Sequence, residues 1–252
     1  FEKKILKTFN VKNAIVCNSG TAALHLIYSA LGLKKGDVVL TSPITFIATA
    51  NAALMCGAKV IFADVDPATG MLTPESIDKK LKSKKYNVKI ITVVHLGGRI
   101  CDLEGISNIA KKYNCKIVED ACHAPGGKFL NTKGKIFEIG SCKYSIASSF
   151  SFHAIKHVTM AEGGCVTTNN KIIAEKIRLK LNHGIIRTNK SKKFLDPWFY
   201  QINELGYNYR ASEINCALGL SQLERLNSSI KKRNKIAKIY KKELENIPQI
   251  IF

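Results

Sequence analysis

Three short segments of this 252-residue chain hold residue types that could do chemistry together. In SSFSFHAIKHVTMAEGG (148–164), Lys156 sits in a polar loop between two strand-like runs, with Ser151 before it and Gly163-Gly164 after it. A loop lysine is ordinarily a solvated charge. One desolvated beside other cations has a lowered pKa and forms Schiff bases. In KIVEDACHA (116–124), Asp120 ends an apolar run. A carboxylate there can pair with a protonated pyridine nitrogen and keep the ring an electron sink. It can equally cap the following turn or bind a metal. His123 could stack on or hydrogen-bond to such a ring, or simply pack. In CNSGTAAL (17–24), a strand gives way to a helix near Thr21. The free N–H groups and positive dipole end of a helix start suit a phosphate, though Ser-Gly-Thr also serves as a plain helix cap. No Walker loop is present, and no G-x-G-x-x-G follows a strand.

These residues need a scaffold that brings strand ends together. Short apolar runs alternate with amphipathic segments: strands at 13–18, 37–42, 59–66, 89–96 and 116–120, separated by helices at 21–32, 46–57, 73–81 and 103–113. Two more strands fall at 148–152 and 164–168, followed by helices at 171–184, 211–226 and 228–246. Thr73 with Pro74 marks one helix start. Repeated strand–helix units predict a mainly parallel sheet with helices on both faces. Such sheets bind ligands at the carboxyl ends of their strands. Ser19, Thr45, His95, Asp120 and Ser151 all fall at those ends. Residues 185–209 form the longest stretch without clear periodicity.

Composition narrows the function class. The formal charge of +20 raises the question of nucleic acid, but only six of the 39 basic residues are Arg, and the lysines are spread along the chain. No aromatic-basic RNA motif or finger spacing occurs, so nucleic-acid binding is not expected. There is no apolar run near the ~20 residues that a membrane span needs. The opening FEKKILKTF is not a signal peptide and reads as the middle of a helix, which suggests an N-terminal truncation. The eight cysteines are irregularly spaced, without C-x-x-C. That predicts neither a zinc site nor a redox pair, and suits a reduced, cytoplasmic protein.

Six ordered motifs resemble one family over nearly the whole chain: SGTAAL (19–24), SPITFIATANAAL (42–54), FADVDPATG (62–70), VEDACHA (118–124), SFHAIKHVTMAEGG (151–164) and LGYNYRASEINCALGLSQLERL (205–226). They look like the DegT/DnrJ/EryC1/StrS sugar aminotransferases. The implied fold is the α/β, aspartate aminotransferase-like large domain of the fold-type-I pyridoxal-phosphate enzymes, over residues 1–226. Residues 227–252 would start a linker helix towards a small domain. The family's N-terminal arm and small domain are expected to be missing from these residues. SFHAIK, T-x-AEGG and PWFYQINELGYNYR (197–210) look most like the flagellin-sugar branch. That branch aminates C4 of a UDP-linked 4-keto-6-deoxy-N-acetylhexosamine on the way to pseudaminic acid.

The resemblance also implies roles. Pyridoxal 5'-phosphate is the expected cofactor, L-glutamate the amino donor and a UDP-linked keto-sugar the acceptor. Lys156 would bond to the cofactor and move protons, and Asp120 would bind its ring nitrogen. Phe46 would stack on the ring, or be an ordinary core aromatic, and His123 would lie near it. The amides of Thr21 and Ala22 would hold the phosphate together with Ser151. Asn208 would reach the phosphate of a neighbouring subunit, which implies a homodimer with shared sites. His153 would touch the sugar or merely pack; His95 and Arg99, near the crevice, have no assigned role. Family dehydratases carry His in place of the lysine, so Lys156 favours a transaminase. The remaining readings are a perosamine- or aminoarabinose-type aminotransferase and a truncated, non-catalytic dimeric binding unit. His157 stands where close relatives usually have proline; it would loosen the lysine loop or, as a nearby cation, lower the pKa of the aldimine.

Overall fold

The structure, a computed structural model, describes residues 1–186 and 198–250. Part of the aperiodic stretch 185–209, Pro197 included, therefore lies outside the described residues. Helix α1 (Glu2–Phe9) leads into β1 (Asn13–Cys17) and α2 (Gly20–Ala30). There follow β2 (Val38–Thr41), α3 (Ala48–Met55), β3 (Lys59–Phe62), α4 (Pro74–Lys82), β4 (Val88–Val94), α5 (Leu103–Lys112) and β5 (Lys116–Asp120). A hairpin of β6 (Lys128–Leu130) and β7 (Ile136–Glu138) precedes β8 (Ala147–Ser151), β9 (Gly164–Thr168) and α6 (Lys171–Leu181). The chain continues through β10 (Ile185–Ile186), β11 (Gln201–Ile202), α7 (Glu213–Glu224) and α8 (Leu226–Leu244).

Seven strands form the central sheet in the order β1-β9-β8-β5-β4-β2-β3. From β8 to β3 every pairing is parallel, and β9 alone runs against its neighbours. The strands are apolar on both faces because helices cover both. Ile15, Val39, Ile90 and Val118 point to a core shared with α2, α3 and α6. Their chain neighbours Val16, Leu40, Ile91 and Ile117 point to the opposite core, with Phe9, Ile77 and Ile106 from α1, α4 and α5. This is the two-residue period of a strand buried on both sides.

Local signals account for several boundaries. Thr73 Oγ1 accepts from the Ser76 amide and Ser76 Oγ accepts from the Thr73 amide, a reciprocal cap that starts α4 with Pro74 at its first position. Strand β3 is shorter than expected, ending at Phe62 rather than Asp66, and a lone bridge joins Val65 to Leu72. The short pairs β6–β7 and β10–β11 were not expected from the sequence, because two- and three-residue strands carry too little alternation to see.

Candidate active site

The phosphate-like end of the site is built first. At the end of β1, the Asn18 N–H donates to the Tyr209 carbonyl (2.8 Å), and α2 then starts with Ser19 as its cap. The Ser19 hydroxyl accepts from the Ala22 amide at 3.0 Å. The Ala22 N–H expected to face a phosphate is therefore already engaged, and the amides left at the helix start are those of Gly20 and Thr21. A side chain at Gly20 would come within 2.8 Å of Ser151 Cβ. One at Gly164, on β9, would overlap the Ser19 carbonyl. These two glycines let the helix start press against the ends of β8 and β9. Ser151, buried at the end of β8, lies beside it and accepts from the His153 amide at 3.4 Å.

Asp120 ends β5, whose neighbour β8 pairs it with Ser149. The carboxylate is buried, yet its partners are neutral. The Thr49 hydroxyl donates to Oδ2 at 2.7 Å, and the Cys122 amide donates to Oδ1 at 3.2 Å. A carboxylate has about four lone-pair sites, so room remains for a further donor, and a cationic one best offsets its charge. Burial and the Asp120 charge push the neighbouring Cys122 thiol well up, so it stays neutral. Thr49 carries no mark of function in the sequence. It is the one hydroxyl in a mostly apolar helix, and only its contact reveals it.

The lysine loop is clasped at its base. Phe152 N–H donates to the Gly163 carbonyl (2.8 Å) and Met160 N–H to the Phe152 carbonyl (2.7 Å). Val158 and Met160 are buried beneath it, and Asn215 Nδ2 of α7 donates to the Glu162 carbonyl at 2.8 Å. Within the loop, the Lys156 amide donates to the His153 carbonyl at 2.9 Å, a turn that leaves the lysine half-buried. Its amine lies close enough to His123 and Cys122 to act on their protonation.

The histidines divide by environment. His123 is held below its ordinary range, first by desolvation and then by Lys156. Its Nδ1 accepts from the Gly97 amide at 3.3 Å, which leaves the hydrogen of the neutral ring on Nε2. His157 is also held down, by desolvation and then by Arg233, His123 and Lys156. It is therefore neutral around pH 7, and the cationic role considered for it does not hold. His153 turns to Glu162, with Nε2 3.5 Å from Oε1. His95 is fully buried and faces away from the site, with Nε2 3.1 Å from Glu119 Oε2 and Nδ1 accepting from the Cys101 amide at 3.3 Å. Desolvation opposes a charge on His95 while Glu119 favours one. The hydrogen bonds and charges of Cys101 and Glu119 outweigh that desolvation and raise the ring's pKa to about 9. Arg99 Nη1 donates to the carbonyls of Ala68 and Thr69, both at 3.3 Å.

Phe46 is 69% exposed on the loop before α3, so it is not a core aromatic. Ile44, Ile47, Leu54 and Met55 are exposed around the same helix. Asn208 is exposed beside Asn182, to which it is bridged. Among the described residues no group of three or more His, Cys, Asp or Glu could hold a metal ion, and no described helix is long and apolar enough to cross a membrane.

Strand ends, a capped helix start, a buried acid with neutral partners and a lysine loop thus meet along one edge of the sheet. A family model described as the DegT/DnrJ/EryC1/StrS aminotransferase family matches residues 1–252. A Campylobacter jejuni protein, UDP-4-amino-4,6-dideoxy-N-acetyl-beta-L-altrosamine transaminase, is 44% identical over 245 residues, 97% of this chain and 61% of that protein. GDP-perosamine synthase of Caulobacter vibrioides is 35% identical over 247 residues, 98% of this chain and 62% of that one. The solved structure of Helicobacter pylori PseC, an aminotransferase involved in the biosynthesis of pseudoaminic acid, superposes with a TM-score of 0.85 at 31% identity, over 98% of this chain and 62% of that one. The chain therefore spans about three fifths of the length of these relatives. The expected fold, a fold-type-I, aspartate aminotransferase-like large domain, is the one observed. By its motifs, its sheet and its match from end to end, this chain belongs to the DegT/DnrJ/EryC1/StrS aminotransferase family.

Proposed function

We propose that the chain holds pyridoxal 5'-phosphate along this sheet edge and transfers an amino group from L-glutamate to C4 of a UDP-linked 4-keto-6-deoxy-N-acetylhexosamine, in the manner of pseudaminic acid biosynthesis. One observation carries the cofactor reading. Asp120 is buried with only neutral donors, on the same edge as a helix start pressed against Ser151 and a half-buried Lys156. The donor set fits a phosphorylated pyridine: amides and hydroxyls at one end, a carboxylate at the other, an amine between.

When bound, pyridoxal phosphate supplies an electron sink that lets the Cα–H bond of an amino acid break. The protein's own residues do the rest. Gly20 and Thr21 amides and the Thr21 and Ser151 hydroxyls bind the phosphate, with the Ala22 amide available only by release from Ser19. Asp120 would face the ring nitrogen and favour its protonated form. Lys156 would hold the cofactor through Nζ and would move a proton at the donor's Cα. Phe46 would lie against the ring, and neutral His123 would offer Nε2–H near it. His153, paired to Glu162 at the loop's rim, is free to turn to the sugar. Glutamate and keto-sugar use the site in alternation.

The UDP-sugar choice rests on the 44% relative and the PseC-like fold. A GDP-linked sugar, as the name of the 35% relative indicates for that protein, is the second reading. The exposed Phe46, Ile44, Ile47, Leu54 and Met55 and the exposed Asn208 support a homodimer in which Asn208 completes a partner's phosphate cage. Residues 1–226 form the cofactor-binding domain in this reading, and residues 227–252 begin the linker helix.

The test reduces the cofactor-loaded protein with borohydride, maps the adduct, and then offers glutamate with UDP-, GDP- and dTDP-linked 4-keto-sugars, reading products by mass spectrometry. An adduct on Lys156 and an aminated UDP-sugar are expected. An adduct on another lysine removes the catalytic assignment. An adduct without turnover on any sugar leaves the chain a cofactor-binding unit, and turnover of the GDP-sugar alone selects the second reading.

A further inference from the structure

Beneath this end of the sheet lies a chain of hydroxyls, buried except for the half-buried Thr45. Thr49 is fully buried on α3, three positions after Phe46. Its Oγ1 lies 2.7 Å from Asp120 Oδ2, 3.2 Å from the Phe46 carbonyl and 2.7 Å from Thr45 Oγ1, and it donates to the nearer, charged Asp120. A hydroxyl has one hydrogen to give. With that hydrogen on Asp120, the Thr45 hydroxyl donates to Thr49. The Thr49 amide donates to the Phe46 carbonyl at 3.2 Å. The Thr49 carbonyl in turn accepts from Tyr28 of α2 at 3.3 Å. The Tyr28 hydroxyl also lies 2.8 Å from Thr92 Oγ1 on β4, and Thr41 Oγ1 of β2 donates to the Thr92 carbonyl at 2.9 Å. One residue thus touches the strand of the buried acid, the loop of the exposed aromatic and the helix whose start faces Ser151.

We propose that Thr49 is a positioning residue that aims the Asp120 carboxylate at the cofactor's ring nitrogen and keeps it the weaker base of the pair. The inference rests on the cofactor reading above. Its physical content is separate. A carboxylate that accepts hydrogen bonds holds its charge more comfortably and its proton less tightly. Asp120 accepts from Thr49 and from the Cys122 amide. With Thr49 removed, only the longer bond from Cys122 remains. The carboxylate then competes better for the shared proton, and the ring nitrogen gives it up. Hydrogen bonds to charged groups are shorter and stronger than neutral ones, so losing one of two donors changes how well the carboxylate holds its charge. The bond from Thr45 polarises the Thr49 hydroxyl in the same direction.

The test compares wild type, Thr49→Val, Thr49→Ser and Thr45→Val in the 252-residue protein. Two quantities are read: pyridoxal phosphate affinity by equilibrium titration, and the 15N resonance of the ring nitrogen in labelled cofactor. Circular dichroism and melting monitor the fold. Thr49→Val, close to threonine in shape, should bind about tenfold more weakly, with the resonance moved towards that of the unprotonated ring. Thr49→Ser should restore both. Thr45→Val should move the resonance the same way by less, and it answers the question if Thr49→Val does not fold. A folded Thr49→Val with wild-type affinity and resonance overturns the inference, as does a Thr49→Ser that restores neither, or a Thr45→Val resonance that stays still. Wild-type protein that takes up no pyridoxal phosphate overturns the cofactor reading instead. A wild type that binds beside a Thr49→Val that binds equally well overturns this inference alone.

Discussion

Glu119 and Asp120 are neighbours on one strand, and both are buried, at 1% and 6% exposure. They point to opposite faces of the sheet, and their surroundings differ. Glu119 accepts from Ser145 and from Ser148 (3.0 Å) on one oxygen and from His95 (3.1 Å) on the other. It is enclosed by groups from the residue after β4, from β8 and from the segment before β8. Asp120 accepts from one hydroxyl and one amide, at the end of the sheet where Ser151 meets the start of α2. Burial and acidity are shared, so neither marks the working acid. What separates the two is how completely the lone pairs are used. A closed network holds the fold together, and an open one leaves something for a ligand to complete.

Removing the charge from each acid in turn gives the sharpest contrast. Asp120→Asn should reduce amino transfer about 10²–10³-fold with only a small change in melting temperature, read by steady-state rates alongside calorimetry. Glu119→Ala should do the opposite. Loss of a buried partner strands His95 and two hydroxyls, at a cost of about 3–5 kcal/mol in unfolding free energy, while the fraction that stays folded still takes up cofactor. Denaturant titration reads that loss. Glu119→Ala as stable as wild type would erase the distinction.

A smaller effect sharpens what the open side depends on. Gly164→Ala would drive a methyl into the Ser19 carbonyl. It should cost about 1–3 kcal/mol as overpacking and weaken cofactor retention, because the helix start must back away from Ser151. Dialysis against cofactor-free buffer followed by absorbance would show the loss. Unchanged retention would mean that the close approach serves packing alone.

The smallest expected effect concerns protons. His123 and His157, both near the open side, have pKa values held below 6.5, chiefly by desolvation. As pH falls below 6.5, the unfolded chain takes up protons on these rings before the folded one does. Stability is therefore complete above that pH and declines as pH falls towards the folded-state values. His157→Asn should make the decline shallower in melts recorded between pH 7 and pH 5. An unchanged slope would show that His157 is not held neutral by the fold.

Much of this arrangement could be read along the chain. Alternation of apolar runs with helical periods set out the parallel sheet, because burial on both faces demands continuous apolar strands. Thr73 with Pro74 announced a helix start that the structure closes with Ser76. Asp120 and Ser151 stood out as polar residues at strand ends of such a sheet, and Lys156 as a loop lysine flanked by Ser151 and Gly163-Gly164. Thr49 was not. A threonine in a helix usually bonds to its own backbone or to water, and its sequence neighbours are unremarkable; its role exists only where α3 crosses the end of β5. Glu119 and Asp120 look alike in sequence, since a two-residue period says that they face opposite ways but not which side is sealed. The Ala22 amide seemed free because every helix start has free amides, and only the rotamer of Ser19 decides which of them is spent. The local pattern of the chain thus determined the elements, their order and the edge on which the chemistry gathers. Only the tertiary structure decided which donors reach which lone pairs, because hydrogen bonds act over about 3 Å and that distance is set by how separate elements pack.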